Sequence, residues 1–176
     1  MVLENGYYFK IMNKYVSEIN RSMKYLAKNP KVIFLGQSVA YPGSSIYVSL
    51  KNINDKKKIE LPVFEETQMG MTLGLALEGY IPISCFPRFD FLILAINQLV
   101  NHIDKIDYIT DRKFNSRIII RTMIGSTKPL NAGPQHSQDH TNAIRKIFQN
   151  IKIIKLNKNK NIFNLYQSII FSYKPF

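Results

Sequence analysis

Residues 61–83 read LPVFEETQMGMTLGLALEGYIPI: an apolar segment, adjacent carboxylates at Glu65 and Glu66, an apolar run interrupted by Gly70, Gly74 and Gly79, and a second apolar segment. The pattern predicts strand, helix, strand. KIELPV (58–63) and YIPISCF (80–86) have strand length and composition. Between them, EETQMGMTLGLALEG (65–79) is a helix with acids in its first turn and Gly79 where a C-terminal cap belongs. Strands joined through a helix run parallel.

The same alternation continues on either side. Met12, Tyr15, Val16, Ile19, Met23 and Leu26 recur at three- and four-residue spacings, which predicts an amphipathic helix over about residues 7–28, stopped by Asn29-Pro30. KVIFLG (31–36) follows as a buried strand. Residues 37–58, with YPGSS and NINDKKK, read as loop with one short helical or extended piece at 46–50. Downstream come a helix in FLILAINQLVNHIDKI (91–106), a strand in RIIIRTMI (117–124) and a loop in GSTKPLNAGPQHSQ (125–138). A helix in DHTNAIRKIFQ (139–149) with Asp139 as N-cap, a strand in IKIIKL (151–156) and a helix in NIFNLYQSIIFS (161–172) complete the chain. The expected fold is α/β, with a largely parallel sheet and helices on both faces, in a single domain over residues 1–176.

At 176 residues and 20.4 kDa the chain fits one core. A hydrophobic share of 45% with 20% charged residues is ordinary for a globular protein. No apolar run approaches the roughly 20 residues needed to span a bilayer, and the N-terminus does not read as a signal peptide, so no membrane association is expected. The single cysteine, Cys85, excludes an internal disulfide and suits a cytoplasmic location. A net charge of +12 raises the question of nucleic acid. The lysines are scattered, however, and the densest runs lie in predicted loops without interleaved aromatics, so no nucleic-acid partner is expected.

Ligands of parallel α/β sheets bind beyond the carboxyl ends of the strands. There the sequence places FEETQ (64–68), CFPRFDF (85–91) and AGPQHSQD (132–139). Glu65 and Glu66 have a plain reading as first-turn acids that favour the helix dipole. Glu65 also directly follows Val63 and Phe64, which are expected to desolvate its carboxylate at the sheet edge, where a proton can be shared with a ligand base. Gly70 and Gly74 lie four apart on one helix face despite a cost of up to about 1 kcal/mol each, which suggests close approach by another backbone or subunit.

PVFEETQMGMTLGLALEGYIPISCFPRFDFLILAINQLVNH (62–102), followed by GPQHSQD (133–139), resembles the pyrimidine-binding domain of the beta subunit of 2-oxoacid dehydrogenase decarboxylating components, in the transketolase-like thiamine diphosphate superfamily. The family pattern runs P-I-x-E-x-x-x-x-G-x-A-x-G, F-x-F, A-x-x-Q-x-x-N and Q-H-S-Q, in this order. The resemblance implies that Glu65, five residues before Gly70, hydrogen-bonds N1′ of the cofactor's aminopyrimidine and activates it by proton exchange, with Glu66 a bystander. It implies that Phe91 stacks on the aminopyrimidine and that His136 stands on the substrate side, where an imidazole suits proton transfer. Read without the resemblance, Phe91 is core packing and His136 a solvated loop residue. His102 has only a structural reading. Pro87 and Arg88 depart from the family's E-F-M-T-F; Arg88 is either a surface arginine or a partner for a carboxylate or phosphate of the substrate.

The superfamily holds the cofactor's diphosphate through Mg²⁺ and a G-D-G motif, and this sequence contains no G-D-G. The resemblance therefore implies half of an active site, with Mg²⁺ held by a separate diphosphate-binding alpha-type subunit in a hetero-oligomer. The family's C-terminal domain is expected to be absent. The expected reaction is decarboxylation of a small 2-oxo acid, or transfer of the acyl or ketol unit derived from it or from a sugar. The alternative is a non-catalytic assembly or regulatory paralogue.

Overall fold

The computed structural model describes residues 3–114, 117–128, 131–156, 161–172 and 174–176, with side chains from residue 14 onward. In chain order the elements are α1 (Leu3–Ala27), β1 (Val32–Gly36), α2 (Ser45–Leu50), β2 (Lys58–Glu60), α3 (Glu65–Leu77) and β3 (Ile81–Cys85). After these come α4 (Phe89–Leu92), α5 (Ile106–Ile109), β4 (Ile119–Arg121), α6 (Thr141–Ile147) and α7 (Ile162–Ile169). Met12 of the predicted first helix lies among the residues whose side chains are not described.

The strands form one four-stranded sheet in the order β2-β1-β3-β4, and every pairing is parallel. Alternating strand residues feed two cores, as the pleat requires. Val32, Phe34, Ile81, Ile83 and Ile119 pack with Ile19, Met23, Leu26 of α1, Ile46 and Leu50 of α2, and Tyr166 of α7. Ile118 packs on the opposite side with Met69 and Ala76 of α3, Leu92, Leu99, Ile103 and Ile144. Helices cover both faces, in agreement with the expected α/β class.

Three expectations are corrected. KIELPV contributes only Lys58–Glu60 to the sheet. One further bond runs from Leu61 N–H to the Gly36 carbonyl, and Pro62 then has no N–H with which to continue the ladder. Of RIIIRTMI only Ile119–Arg121 is strand, and IKIIKL is not a strand at all. For IKIIKL the chain's last residues give the reason: Phe176 donates its N–H to Ile118 O at 3.0 Å and accepts from Ile120 N–H at 2.6 Å, while Lys152 N–H donates to Pro175 O at 3.1 Å. Residues 175–176 thus stand along the β4 edge that a strand at 151–156 would need.

The run expected as one helix over 91–106 starts at Phe89 and is irregular, passing through a 3₁₀ turn at Ile93–Ala95 and a π turn at Gln98–Ile103. The wider turn keeps Leu99 and Ile103 buried while Asn97 and Gln98 face the first turn of α3. Among the described residues the close approach expected at Gly70 and Gly74 is not made, since a Cβ at either would meet nothing within 4 Å. Gly36 has that role instead. With φ of +137°, it brings the end of β1 so close to β3 that a Cβ would stand 2.1 Å from Cys85 O.

Candidate functional site

The carboxyl ends of the strands are built largely from polar side chains that hold backbone. After β1 the chain turns through Ser38, at φ +57°, and the amides of Ser38, Val39 and Ala40 donate to the Glu60 carboxylate at 2.6, 2.8 and 2.7 Å. After β3, Gln68 Nε2 donates to Ser84 Oγ at 2.9 Å and Cys85 O at 3.1 Å, which fixes the first turns of α3 on the sheet end.

Glu65 opens α3 one turn before Gln68 and on the same face. Its residue is 7% exposed, and among the described residues its carboxylate has no hydrogen-bond partner. The residue's low exposure does not come from Val63 and Phe64, which are 58% and 63% exposed, but from the seating of α3 on the sheet. Glu66 is exposed and accepts from Asn97 Nδ2 at 3.0 Å and Gln98 Nε2 at 3.4 Å. The adjacent acids therefore divide, one exposed and tying helices together, the other little exposed at the sheet end.

Phe91 and His136 are brought together. Their rings meet edge to face at 5.5 Å and 85°, both half-buried, and His136 Nδ1 is buried without a partner. Gly125 supports that placement, because a Cβ there would lie 1.9 Å from His136 O. No hydrogen bond or ring contact links Glu65 to either residue among those described. His102 is exposed in the π turn and takes no part. Arg88 is half-buried rather than a free surface arginine: Nη1 donates to Pro87 O at 2.8 Å, and Nε lies 3.5 Å from where a Gly125 Cβ would be.

Sequence reasoning missed Asp90 and His140. Asp90 Oδ1 accepts from Gln138 Nε2 at 2.9 Å and lies 3.9 Å from His140 Nε2, and His140 meets Phe89 edge to face at 5.6 Å. The available signal was an acid set between two aromatics in FDF, with a second histidine four residues after His136. The expected N-cap at Asp139 is corrected: α6 begins at Thr141 with His140 as its N-cap, and Asp139, one residue earlier, accepts Thr141 N–H at 3.0 Å. Its ion-paired hydrogen bond from Lys155, helped by Thr141, holds its carboxyl down to about 2. Among the described residues no three or more His, Cys, Asp or Glu side chains are grouped to hold a metal ion, and no helix is long and apolar enough to cross a membrane.

A parallel α/β domain with an inward carboxylate, an aromatic ring and an imidazole at its strand ends belongs to the class that receives ligands at that edge. Residues 18–176 match the model of the transketolase pyrimidine-binding domain family, and the chain belongs to that family. It is similar to proteins named pyruvate dehydrogenase E1 component subunit beta. Identity is 27% over 157 residues with that of Cyanidium caldarium, covering 85% of this chain and 46% of the relative. It is 29% over 154 residues with that of Gracilaria tenuistipitata var. liui, covering 85% and 46%. The chloroplastic subunit beta-3 of Arabidopsis thaliana is 28% identical over 133 residues, covering 73% of this chain and 31% of the relative. The chain thus spans less than half the length of these curated relatives.

Proposed function

We propose that this chain is the pyrimidine-binding, beta-type subunit of a thiamine diphosphate-dependent 2-oxoacid dehydrogenase component, active with a separate diphosphate-binding alpha-type subunit. The observation that carries the reading is Glu65, 7% exposed at the start of α3 beside the strand ends, in a domain of the pyrimidine-binding family. Bound thiamine diphosphate would supply the carbanion chemistry for losing CO₂ from a 2-oxo acid. Glu65 would hold or give a proton at a ring nitrogen of the aminopyrimidine. Phe91 would bear on the same heterocycle, and its edge contact with His136 orients the imidazole that positions or protonates substrate.

The names of the relatives favour pyruvate among 2-oxo acids. Mg²⁺ is assigned to the partner subunit, in a hetero-oligomer of the two chains, with residues 1–176 forming one pyrimidine-binding domain. The chloroplastic Arabidopsis relative favours a plastid over the cytoplasmic location expected from composition. The non-catalytic alternative draws on Pro87 and Arg88, which depart from the family's E-F-M-T-F.

The test is co-purification at moderate salt with identification of the captured chains, followed by assay of the reconstituted complex for pyruvate decarboxylation. Capture of a chain containing G-D-G and turnover that requires both chains and Mg²⁺ are expected. A complex that binds neither cofactor nor 2-oxo acid would move the chain to the non-catalytic reading.

A further inference from the structure

We infer that Asp90 is a positioning residue: its carboxylate clasps the loop at 136–140 and thereby sets the His136 imidazole, an inference that rests on the reading of His136 given above. Three consecutive residues of one turn grip the loop. Phe89 meets the ring of His140 at 5.6 Å, Asp90 accepts from Gln138, and Phe91 meets the ring of His136 at 5.5 Å. The turn is itself anchored to the segment after β4, since Phe89 N–H donates to Met123 O at 2.8 Å.

The Asp90 side chain is 7% exposed, and Oδ1 takes the Gln138 side-chain N–H at 2.9 Å and its backbone N–H at 3.4 Å. At 3.9 Å the His140 Nε2 contact is too long for a hydrogen bond, so Gln138 makes the attachment and His140 only faces the charge. Asp90 Oδ2, His140 Nε2 and His136 Nδ1 are all buried without partners. Concentrated in one turn and the loop it holds, such atoms mark polar groups kept in place for a purpose other than stability.

At its two ends the loop is also held from outside, by Ala132 N–H donating to Ser126 O at 3.1 Å and by Lys155 Nζ donating to Asp139 Oδ2. Within itself it has Ser137 Oγ donating to Gly133 O at 2.8 Å and His136 N–H to the same carbonyl at 3.1 Å. Gly125 limits where the His136 carbonyl can go but supplies no bond. Between those two ends, the Asp90–Gln138 bond, two residues from His136, is the side-chain attachment nearest the imidazole and keeps it edge-on to Phe91.

The experiment is amide hydrogen exchange of residues 136–140 in the full chain, with the ¹⁵N-imidazole NMR signal of His136 recorded in parallel. Asp90→Ala and Gln138→Ala are expected to raise exchange about tenfold locally and to move the His136 signal. Asp90→Asn keeps an acceptor oxygen for Gln138 and is expected to rescue both. Because Gln138 is exposed, its variant carries the test if Asp90→Ala fails to fold. Unchanged exchange and an unmoved His136 signal in Gln138→Ala would overturn the clasp. In the reconstituted enzyme, Asp90→Ala is expected to lower kcat more than it raises KM. A loosened loop with full turnover would keep the clasp and remove His136 from the chemistry.

Discussion

Replacing Asp104 with alanine should weaken the fold by about 3 kcal/mol. Asp104 is 1% exposed, just after the π turn, and its carboxylate accepts backbone N–H groups of Gln149 (3.1 Å), Asn150 (2.7 Å) and Ile151 (3.0 Å), with Lys105 Nζ at 3.0 Å. Bonds to a charged acceptor contribute about 1.5–3 kcal/mol each in isolation. They do not add, because the carboxylate's own desolvation is recovered when it is removed, so the net falls in the range of about 3–5 kcal/mol seen when a buried charge loses its partners, toward the lower end. For a chain of this size that corresponds to a Tm about 6–12 °C lower.

The loss must also depend on pH. Burial alone would raise the Asp104 pKa, but the amides of Asn150 and Ile151, then Lys105 and Gln149, outweigh it and hold the pKa below 3.8. A depressed carboxyl stabilises fully above its unfolded value and loses that stabilisation as pH falls through the folded one. Urea unfolding of wild type and Asp104→Ala, followed by circular dichroism from pH 7 to pH about 3, should therefore show a gap that closes in acid. A difference under about 1 kcal/mol at pH 7, or a gap that widens on acidification, would refute the reasoning.

Glu60→Ala strands three amides at once and should lower stability by about 2–3 kcal/mol in the same unfolding assay, with the 38–40 amides exchanging faster. Gly125→Ala forces a Cβ against His136 O and should cost about 1–3 kcal/mol while displacing the His136 imidazole signal, whereas Gly70→Ala, with open space around it, should leave the isolated chain as stable or more so. The Cys85 thiol is pushed up to about 11 by burial, offset only in part by the Arg121 charge, so it should resist iodoacetamide at pH 8 and react at once in denaturant.

Much of the fold can be read locally. β1 and β3 follow from VIFLG and IPISC, short runs that the sheet buries almost entirely. α1 follows from its periodicity and the Asn29-Pro30 stop, α3 from its first-turn acids and Gly79, and α7 lies within the helix expected over 161–172. The failures are tertiary. IKIIKL has every local property of a strand, but residues 175–176 take the edge beside β4, a choice no local window can see. The π turn serves Glu66, whose contacts with Asn97 and Gln98 cross 31 and 32 positions. Glu65 could be found from its place before a glycine-bearing helix, yet its burial comes from the seating of α3 and not from the neighbours that seemed to cover it. The Asp90–Gln138 bond spans 48 positions, so FDF gave an aromatic candidate while the acid between the rings passed unread.

The most direct test of the account is a thiamine diphosphate titration of the reconstituted two-chain complex, followed by near-ultraviolet circular dichroism, for wild type and Glu65→Gln. A saturable cofactor signal is expected in the wild-type complex and its loss in Glu65→Gln, with the two complexes assembling equally well. The same signal in both would contradict it, because Glu65 would then have no proton to exchange with the bound ring.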